Sequence, residues 1–272
     1  MLRAEAVSFG YGAHPVLHEL SVSVPAGRLV GVLGPNGSGK TTLLKLLAGL
    51  LAPDGGRITL DGQDTAGLDR MTMARRLAVV PQETQLAFDY TVLEIALMGR
   101  YPHLRAFELE GPADMAIARR MLAATGTADM EQRQFRTLSG GEKQRVVMAS
   151  ALAQFETTAE TGDDRLDPTR VLLLDEPTSS LDLAFQLETA ALLRRLNREH
   201  RTTAVVCTHD LNFAAGVCHD LVLMREGRVL AAGPTETVLT PETIAAVYDV
   251  DADVHRHPVS HQLTVVPLAR RS

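Results

Sequence analysis

Residues 34–41 read Gly-Pro-Asn-Gly-Ser-Gly-Lys-Thr and lie between a short apolar run, Arg28–Leu33, and a helical pattern. Two glycines followed by lysine and a hydroxyl residue at this spacing are typical of a phosphate-binding loop. The glycines let the backbone curl so that its N–H groups point at phosphate oxygens, and the helix adds the positive end of its dipole. We therefore predict a nucleotide-binding loop made by Gly34, Pro35, Asn36, Gly37, Ser38, Gly39, Lys40, Thr41 and Thr42.

Two acidic residues follow a second apolar run, Val171–Leu174. A buried strand there would deliver Asp175 to its end beside the phosphate loop, where a carboxylate can hold Mg²⁺ directly or through water. Glu176 can then orient or deprotonate the attacking water, while Lys40 reaches the β- and γ-phosphates and Thr41 binds the metal. Acidic residues after an apolar strand are common, so this interpretation depends on the loop upstream. Up to this point, kinases and GTPases remain alternatives.

Composition divides the chain into regions with different patterns. Residues 91–152 are rich in Ala, Leu, Met and Arg at helical spacing, which predicts a helical subdomain. Residues 1–90 and 153–240 are predicted to form the nucleotide-binding core, residues 241–272 a C-terminal tail, and the whole chain a single domain. The polar stretch Phe155–Arg170 is typical of a solvated loop. Strands are predicted at Leu2–Phe9, Val16–Val24, Arg28–Leu33, Ile58–Leu60, Leu77–Val80, Val171–Leu174, Thr203–Cys207, Leu221–Met224 and Arg228–Ala232.

The overall composition is that of a soluble globular protein. The net charge of −6 argues against a broad nucleic-acid-binding surface, so no nucleic-acid partner is predicted. Two cysteines, Cys207 and Cys218, are too few for a disulfide framework at this length and fit a reducing compartment. No stretch approaches the roughly 18 apolar residues of a membrane-spanning helix, and no signal peptide is visible. The sequence therefore predicts a protein inside the cell.

Residues 138–145, Leu-Ser-Gly-Gly-Glu-Lys-Gln-Arg, resemble the signature motif of ABC ATPases. A serine hydroxyl, two glycines and a helix start again form an anion-binding arrangement. Ser139 and Glu142 also have the spacing of a capping box, and both interpretations hold together. The resemblance implies a P-loop NTPase α/β core around a largely parallel sheet, an N-terminal antiparallel β portion and an inserted helical subdomain. It also implies a head-to-tail homodimer in which Ser139, Gly140 and Gly141 of one subunit meet ATP held by the other.

Further residues match the family pattern in the family's order. Tyr11 resembles the aromatic residue that stacks on adenine, and Gln82 the glutamine that touches Mg²⁺ and water and senses the permease. Residues 180–182, Ser-Leu-Asp, resemble the loop that crosses the dimer interface, and His209 the histidine that contacts the γ-phosphate. The implied roles are catalytic for Glu176, His209 and Gln82, metal-binding for Thr41, Gln82 and Asp175, and nucleotide-binding for Tyr11, Ser139, Gly140, Gly141 and Asp182.

The segment Phe88–Leu104 is similar to importer ATPases for iron chelates, haem and cobalamin, most of all in Met98–Leu104. It implies an ATPase that powers import through a separate permease, assisted by a substrate-binding protein, at the cytoplasmic face of the membrane. Its Tyr101 and His103 are predicted to be exposed for docking the permease. An exporter ATPase and a soluble non-transport ABC ATPase remain alternatives, whereas the signature motif disfavours kinases and GTPases. His255, His257 and His261 have no supporting scaffold and are predicted to lie in a solvated tail.

Overall fold

The computed structural model describes residues 1–84, 86–156, 169–179 and 182–271, apart from the side chain of residue 200. The strands are β1 (Leu2–Tyr11), β2 (His14–Val24), β3 (Leu29–Leu33), β4 (Gly55–Leu60), β5 (Gln63–Asp64), β6 (Leu77–Val80), β7 (Val171–Asp175), β8 (Thr203–Thr208), β9 (Asp220–Arg225), β10 (Arg228–Pro234), β11 (Val250–Arg256) and β12 (Leu263–Arg270). The α-helices are α1 (Lys40–Leu47), α2 (Arg70–Arg76), α3 (Val92–Met98), α4 (Pro112–Ala124), α5 (Gly140–Ala153), α6 (Leu183–His200), α7 (Leu211–Val217), α8 (Thr235–Val238) and α9 (Pro241–Tyr248).

The central sheet has the strand order β10-β9-β3-β8-β7-β6 and is parallel except for β10. Every residue of β3, β7 and β8 is buried, which explains their uninterrupted apolar runs, since strands covered on both faces need no polar face. The carboxyl ends of parallel strands meet at one edge of the sheet. The phosphate loop after β3, Asp175 in β7, His209 after β8 and Gln82 after β6 are thereby brought to one edge.

The N-terminal strands form a separate antiparallel sheet with the order β2-β1-β4-β5. Its inner face shares one hydrophobic core with α1 and one side of the central sheet, through residues such as Leu17, Leu43 and Val32. Asp61 and Gly62 make the tight turn between β4 and β5. The predicted fold class, a P-loop core with an antiparallel β portion and a helical subdomain, is confirmed.

Helices α3, α4 and α5 pack around a third core of their own. A fully buried arginine stabilises this packing: Arg100 donates from Nε to Asp114 Oδ1 at 2.9 Å and from Nη1 to the carbonyl oxygens of Ala153 and Glu156 at 2.5 and 2.6 Å. The hydrogen bond from Arg100 lowers the pKa of Asp114, although the burial of that carboxyl opposes the shift. The guanidinium thus joins the end of α3 to the start of α4 and to the end of α5.

The structure adds to the sequence predictions and departs from them in several respects. Helix α2 was not predicted, because it is short and buries only Met73 and Arg76. The second face of the central sheet forms the main core with α5, α6 and α7. Phe155 is buried in this main core, so the predicted solvated loop cannot begin there, and residues 157–168 of that loop lie outside the described residues. The C-terminal tail folds as α9 and a β11–β12 hairpin, and His255, His257 and His261 are exposed on this hairpin, as expected for a solvated segment. None of the helices within the described residues has the length and apolarity that crossing a membrane requires.

Candidate functional site

The phosphate loop closes around the ammonium group of Lys40. Gly39 precedes α1 with φ 97°, a left-handed conformation that favours glycine, and a Cβ there would lie 2.6 Å from Leu17 Cδ2. Lys40 Nζ donates to the carbonyl oxygens of Gly34 and Pro35 at 2.8 and 3.3 Å, and its side chain is buried. The loop therefore holds a positive charge at its centre, directly beside the start of α1.

Hydrogen-bond donors of the loop and of α1 are available for an anion. The first N–H groups of a helix have no partner inside that helix. The buried hydroxyl of Ser38 has no hydrogen-bond partner among the described residues, while Asn36, Gly37 and Thr41 are exposed and Thr42 points inward. Buried hydroxyls are normally paired, so an unpaired one at this position favours a ligand with oxygen atoms.

Two oxygen donors meet where α1 begins and β7 ends. The Thr41 hydroxyl donates to Asp175 Oδ1 at 3.2 Å. Burial raises the pKa of Asp175 and the neighbouring Glu176 charge raises it further, although the bond from Thr41 opposes both. A hydroxyl and a carboxylate are hard oxygen ligands of the kind that Mg²⁺ prefers, and a dication would relieve the cost of burying this charge. The residues present therefore fit a magnesium ion.

Glu176 stands at the carboxyl edge with an unusual backbone conformation. Its φ is 47°, and its N–H donates to Cys207 O at 2.8 Å, which ties the end of β7 to β8. The carboxylate is 11% exposed, and its Oε2 lies 2.8 Å from Nδ1 of His209, which is 64% exposed. A carboxylate oriented by an imidazole, next to Asp175, is a suitable base for activating a water molecule.

Tyr11 and Gln82 flank these residues. Tyr11 ends β1 and is 48% exposed, with its ring edge-on to Phe9 at a centroid distance of 5.0 Å. The packing of Leu17 against Gly39 brings the β1–β2 hairpin alongside the phosphate loop, and the exposed ring of Tyr11 lies at the turn of that hairpin. Gln82 is exposed in the turn that follows β6, on the strand that neighbours β7.

The signature residues lie apart from this group. Ser139 is exposed and caps α5: its hydroxyl accepts from the Glu142 N–H at 3.3 Å, and its own N–H donates to Glu142 Oε2 at 2.7 Å. Across the described ranges, no hydrogen bond joins Ser139, Gly140 or Gly141 to the phosphate loop. Asp182 caps α6, and the preceding Ser180 and Leu181 of the predicted interface loop lie outside the described residues.

One residue beside the site was missed by the sequence analysis. Tyr248, at the end of α9, buries its hydroxyl without a hydrogen-bond partner among the described residues. Burial raises the pKa of Tyr248; the backbone of Gly34 opposes this rise, and the charge of Glu176 adds to it. An aromatic residue in an apolar C-terminal helix carries no sequence signal for this position.

Comparison with known proteins supports one family. A family model described as "ABC transporter" matches residues 17–159. The chain is 42% identical to a hemin import ATP-binding protein of Bordetella bronchiseptica, over 94% of this chain and 95% of that protein. It is 40% identical to a cobalamin import ATP-binding protein of Halobacterium salinarum, again over 94% of this chain, but spans only 61% of that longer protein.

Solved structures give the same answer for the fold. An inward-facing metal-chelate type ABC transporter superposes with a TM-score of 0.82 at 30% identity, covering 98% of this chain and 97% of that one. A dimeric ATP-binding cassette bound to ADP and phosphate gives a TM-score of 0.71 at 26% identity, covering 86% and 99%. The resemblance seen in the sequence is confirmed, and the chain belongs to the ABC transporter family.

Proposed function

We propose that this chain is the ATP-hydrolysing subunit of an importer that carries an iron chelate, haem or cobalamin through a separate permease. It would work as a homodimer, peripheral to the membrane on its cytoplasmic face. The observation that carries the proposal is the meeting of Lys40, Asp175 and Glu176 at one sheet edge, while Ser139 stands exposed elsewhere. The cargo classes are those named by the similar import proteins.

ATP is the ligand that the phosphate loop fits. The ammonium of Lys40, which is hydrogen-bonded to two loop carbonyls, would turn to the β- and γ-phosphates. The unpaired Ser38 hydroxyl would gain a phosphate oxygen as acceptor. The exposed face of Tyr11 offers a stacking surface for adenine. Mg²⁺ would be held by Thr41 and Asp175, with Gln82 as a further ligand. When bound, it supplies positive charge to the phosphate oxygens.

Hydrolysis requires a general base for the attacking water and a group that holds this base in position. Glu176 would accept the proton of the attacking water, because its largely buried carboxylate faces the same edge as Lys40. His209, hydrogen-bonded to Glu176, would hold the carboxylate in position and contact the γ-phosphate with the ring atom that remains free. The backbone bond from Glu176 to Cys207 O fixes the base relative to the sheet.

A second copy of the chain would complete the site. Ser139 and Gly140 are exposed at a helix start, with Gly141 buried behind them, and the phosphate loop of the same chain does not use this anion-binding arrangement. In a head-to-tail dimer, this helix start would face the ATP held by the partner, and Asp182 would lie near the junction. The similarity to a dimeric cassette supports this arrangement.

A surface groove of about 600 Å³ is the proposed docking site for the permease. Its lining includes Met71, Tyr101, Leu104, Arg105, Leu109 and Glu110. Tyr101 and Leu109 are 53% and 83% exposed, and such a concentration of exposed apolar side chains indicates an interaction surface. His103, expected to be exposed, is instead half-buried: its Nε2 lies 2.8 Å from Gln154 O, and burial lowers the pKa of His103. The histidine supports the groove rather than lining it.

The docking proposal predicts a loss of coupling without a loss of basal hydrolysis. Replacing both Tyr101 and Leu109 by Ala should leave the ATPase rate of the isolated subunit within about twofold of wild type, because neither residue belongs to the nucleotide site. Stimulation of ATPase by permease and loaded binding protein should fall at least about tenfold, as expected for two apolar anchors removed from an interface.

The measurement is ATPase activity of the complex reconstituted in vesicles, with and without loaded binding protein. Leu268→Ala is the matched control, because Leu268 is 66% exposed on β12, an element that does not line the groove. Undiminished stimulation in the double variant would contradict docking at this groove.

A further inference from the structure

Phe185, two residues into α6, packs directly against the signature motif of the same chain. A Cβ built on Gly141 would lie 2.5 Å from both Cγ and Cδ1 of the Phe185 ring and 2.9 Å from Cε1. Real Cβ atoms are essentially never found this close to aromatic carbons, so a side chain at position 141 would have to displace either the ring or α5. A Cβ at Gly141 would therefore point into its own subunit, toward Phe185.

Arg145 also contacts the ring. Its guanidinium carbon lies 5.1 Å from the centroid of Phe185, within the range of a cation–π contact. The same guanidinium forms an ion pair with Glu188 one turn further along α6. Phe185 is thus clamped between Gly141, at the start of α5, and Arg145, one turn later on that helix.

The backbone of Phe185 is fixed as well. Its N–H donates to Asp182 Oδ1 at 3.0 Å, which caps α6. Asp182 ends the predicted interface loop, and Ser139 begins the signature helix. The ring and the N–H of one residue thereby connect the two elements that would meet the partner subunit.

We propose that Phe185 is a positioning residue for ATP hydrolysis, and that position 141 is glycine in order to seat its ring. The inference rests on the proposed function, in which Ser139 acts on the ATP of the partner subunit. Clamped by Gly141 and Arg145, Phe185 makes the start of α5 and the cap of α6 move as one rigid unit. Catalytic groups must be held to within a fraction of an ångström, so a shift of α5 would misplace Ser139.

Disturbing Phe185 should therefore affect catalysis without affecting nucleotide binding. ATP is held first by the phosphate loop, and within the described part of the chain no hydrogen bond or ring contact joins Phe185 to that loop. Loosening the clamp should therefore lower kcat and leave ATP affinity in place. A substitution that only destabilised the fold would instead lower kcat, ATP affinity and the melting temperature together.

A double-mutant cycle on Gly141 and Phe185 tests the proposal. Gly141→Ala should lower kcat at least about tenfold when the ring is present, because the added methyl pushes α5 away. In the Phe185→Ala background, the same substitution should cost at least about threefold less than in the wild-type background, because the space is then open and only the contact of position 141 with phosphate can still be affected. Phe185→Ala alone should lower kcat several-fold, and it should keep the wild-type dissociation constant for a non-hydrolysable ATP analogue and fold cooperatively.

Different results would overturn the Phe185 proposal and the proposed function. An equal loss from Gly141→Ala in both backgrounds would overturn the proposal, since the glycine would then be needed for something other than the ring, such as close approach to phosphate. Wild-type kcat in Phe185→Ala or in Gly141→Ala would overturn it too. If Phe185→Ala does not fold, the cycle is run with Phe185→Leu, which keeps an apolar side chain and lacks the ring. An inactive wild-type chain would instead reject the proposed function, so the two failures are distinguishable.

Discussion

Glu176→Gln is expected to bind ATP normally and to hydrolyse it at least about a hundredfold more slowly, the usual scale for losing a general base. Glutamine keeps the size of the side chain and can still bond to His209, but it cannot accept a proton from water. Because Lys40 and the phosphate loop are untouched, ATP should remain bound and the dimer should stay closed. The variant should accumulate as an ATP-bound dimer.

The measurement pairs steady-state ATPase activity with size-exclusion chromatography and light scattering in the presence of ATP and Mg²⁺. Glu226→Gln is the control, because it makes the same chemical change at an 83% exposed carboxylate in the β9–β10 turn. It should hydrolyse ATP like wild type and show no excess of dimer. Normal turnover in Glu176→Gln would remove Glu176 from the role of base.

Lys40→Ala should weaken ATP binding at least about tenfold, which corresponds to about 1.4 kcal/mol. The substitution removes the charge that meets the β- and γ-phosphates and leaves the carbonyl oxygens of Gly34 and Pro35 without their donor. The loss should appear as a larger dissociation constant in calorimetry or in titration with a fluorescent ATP analogue, with little change in melting temperature.

Lys45→Ala is the matched control, because Lys45 carries the same charge on the same helix but is exposed and outside the loop. It should bind ATP with nearly wild-type affinity. Equal weakening by both substitutions would indicate a general electrostatic effect rather than a specific contact with phosphate.

The parts of the fold that sequence predicts well are those whose patterns are local. The sequences of β3, β7 and β8 are largely apolar because both faces of the central sheet are covered. The glycines, lysine and threonine of the phosphate loop all lie within residues 34–41, so their pattern is visible in one short stretch of sequence. The capping box of Ser139 and Glu142 is likewise contained within four residues. Such features need no knowledge of the rest of the chain.

The missed features depend on contacts between distant segments. The Phe185 ring lies on Gly141, which belongs to a helix far from it in sequence. His103 is half-buried because the end of α5 supplies its acceptor at Gln154. Phe155 is likewise buried in the main core, although the polar residues that follow it in sequence predict a solvent-exposed segment. Periodicity cannot report which distant segment will cover a side chain.

Complementation between inactive chains tests the central claim, a site shared by two copies, most directly. Lys40→Ala and Ser139→Arg homodimers should each be nearly inactive, since every composite site contains a defect. Mixing them in equal amounts should restore up to about a quarter of wild-type ATPase, because half of the dimers are then mixed and each of these has one intact site. Normal hydrolysis by Ser139→Arg alone, or no recovery in mixtures in which subunit exchange is demonstrated, would contradict the account.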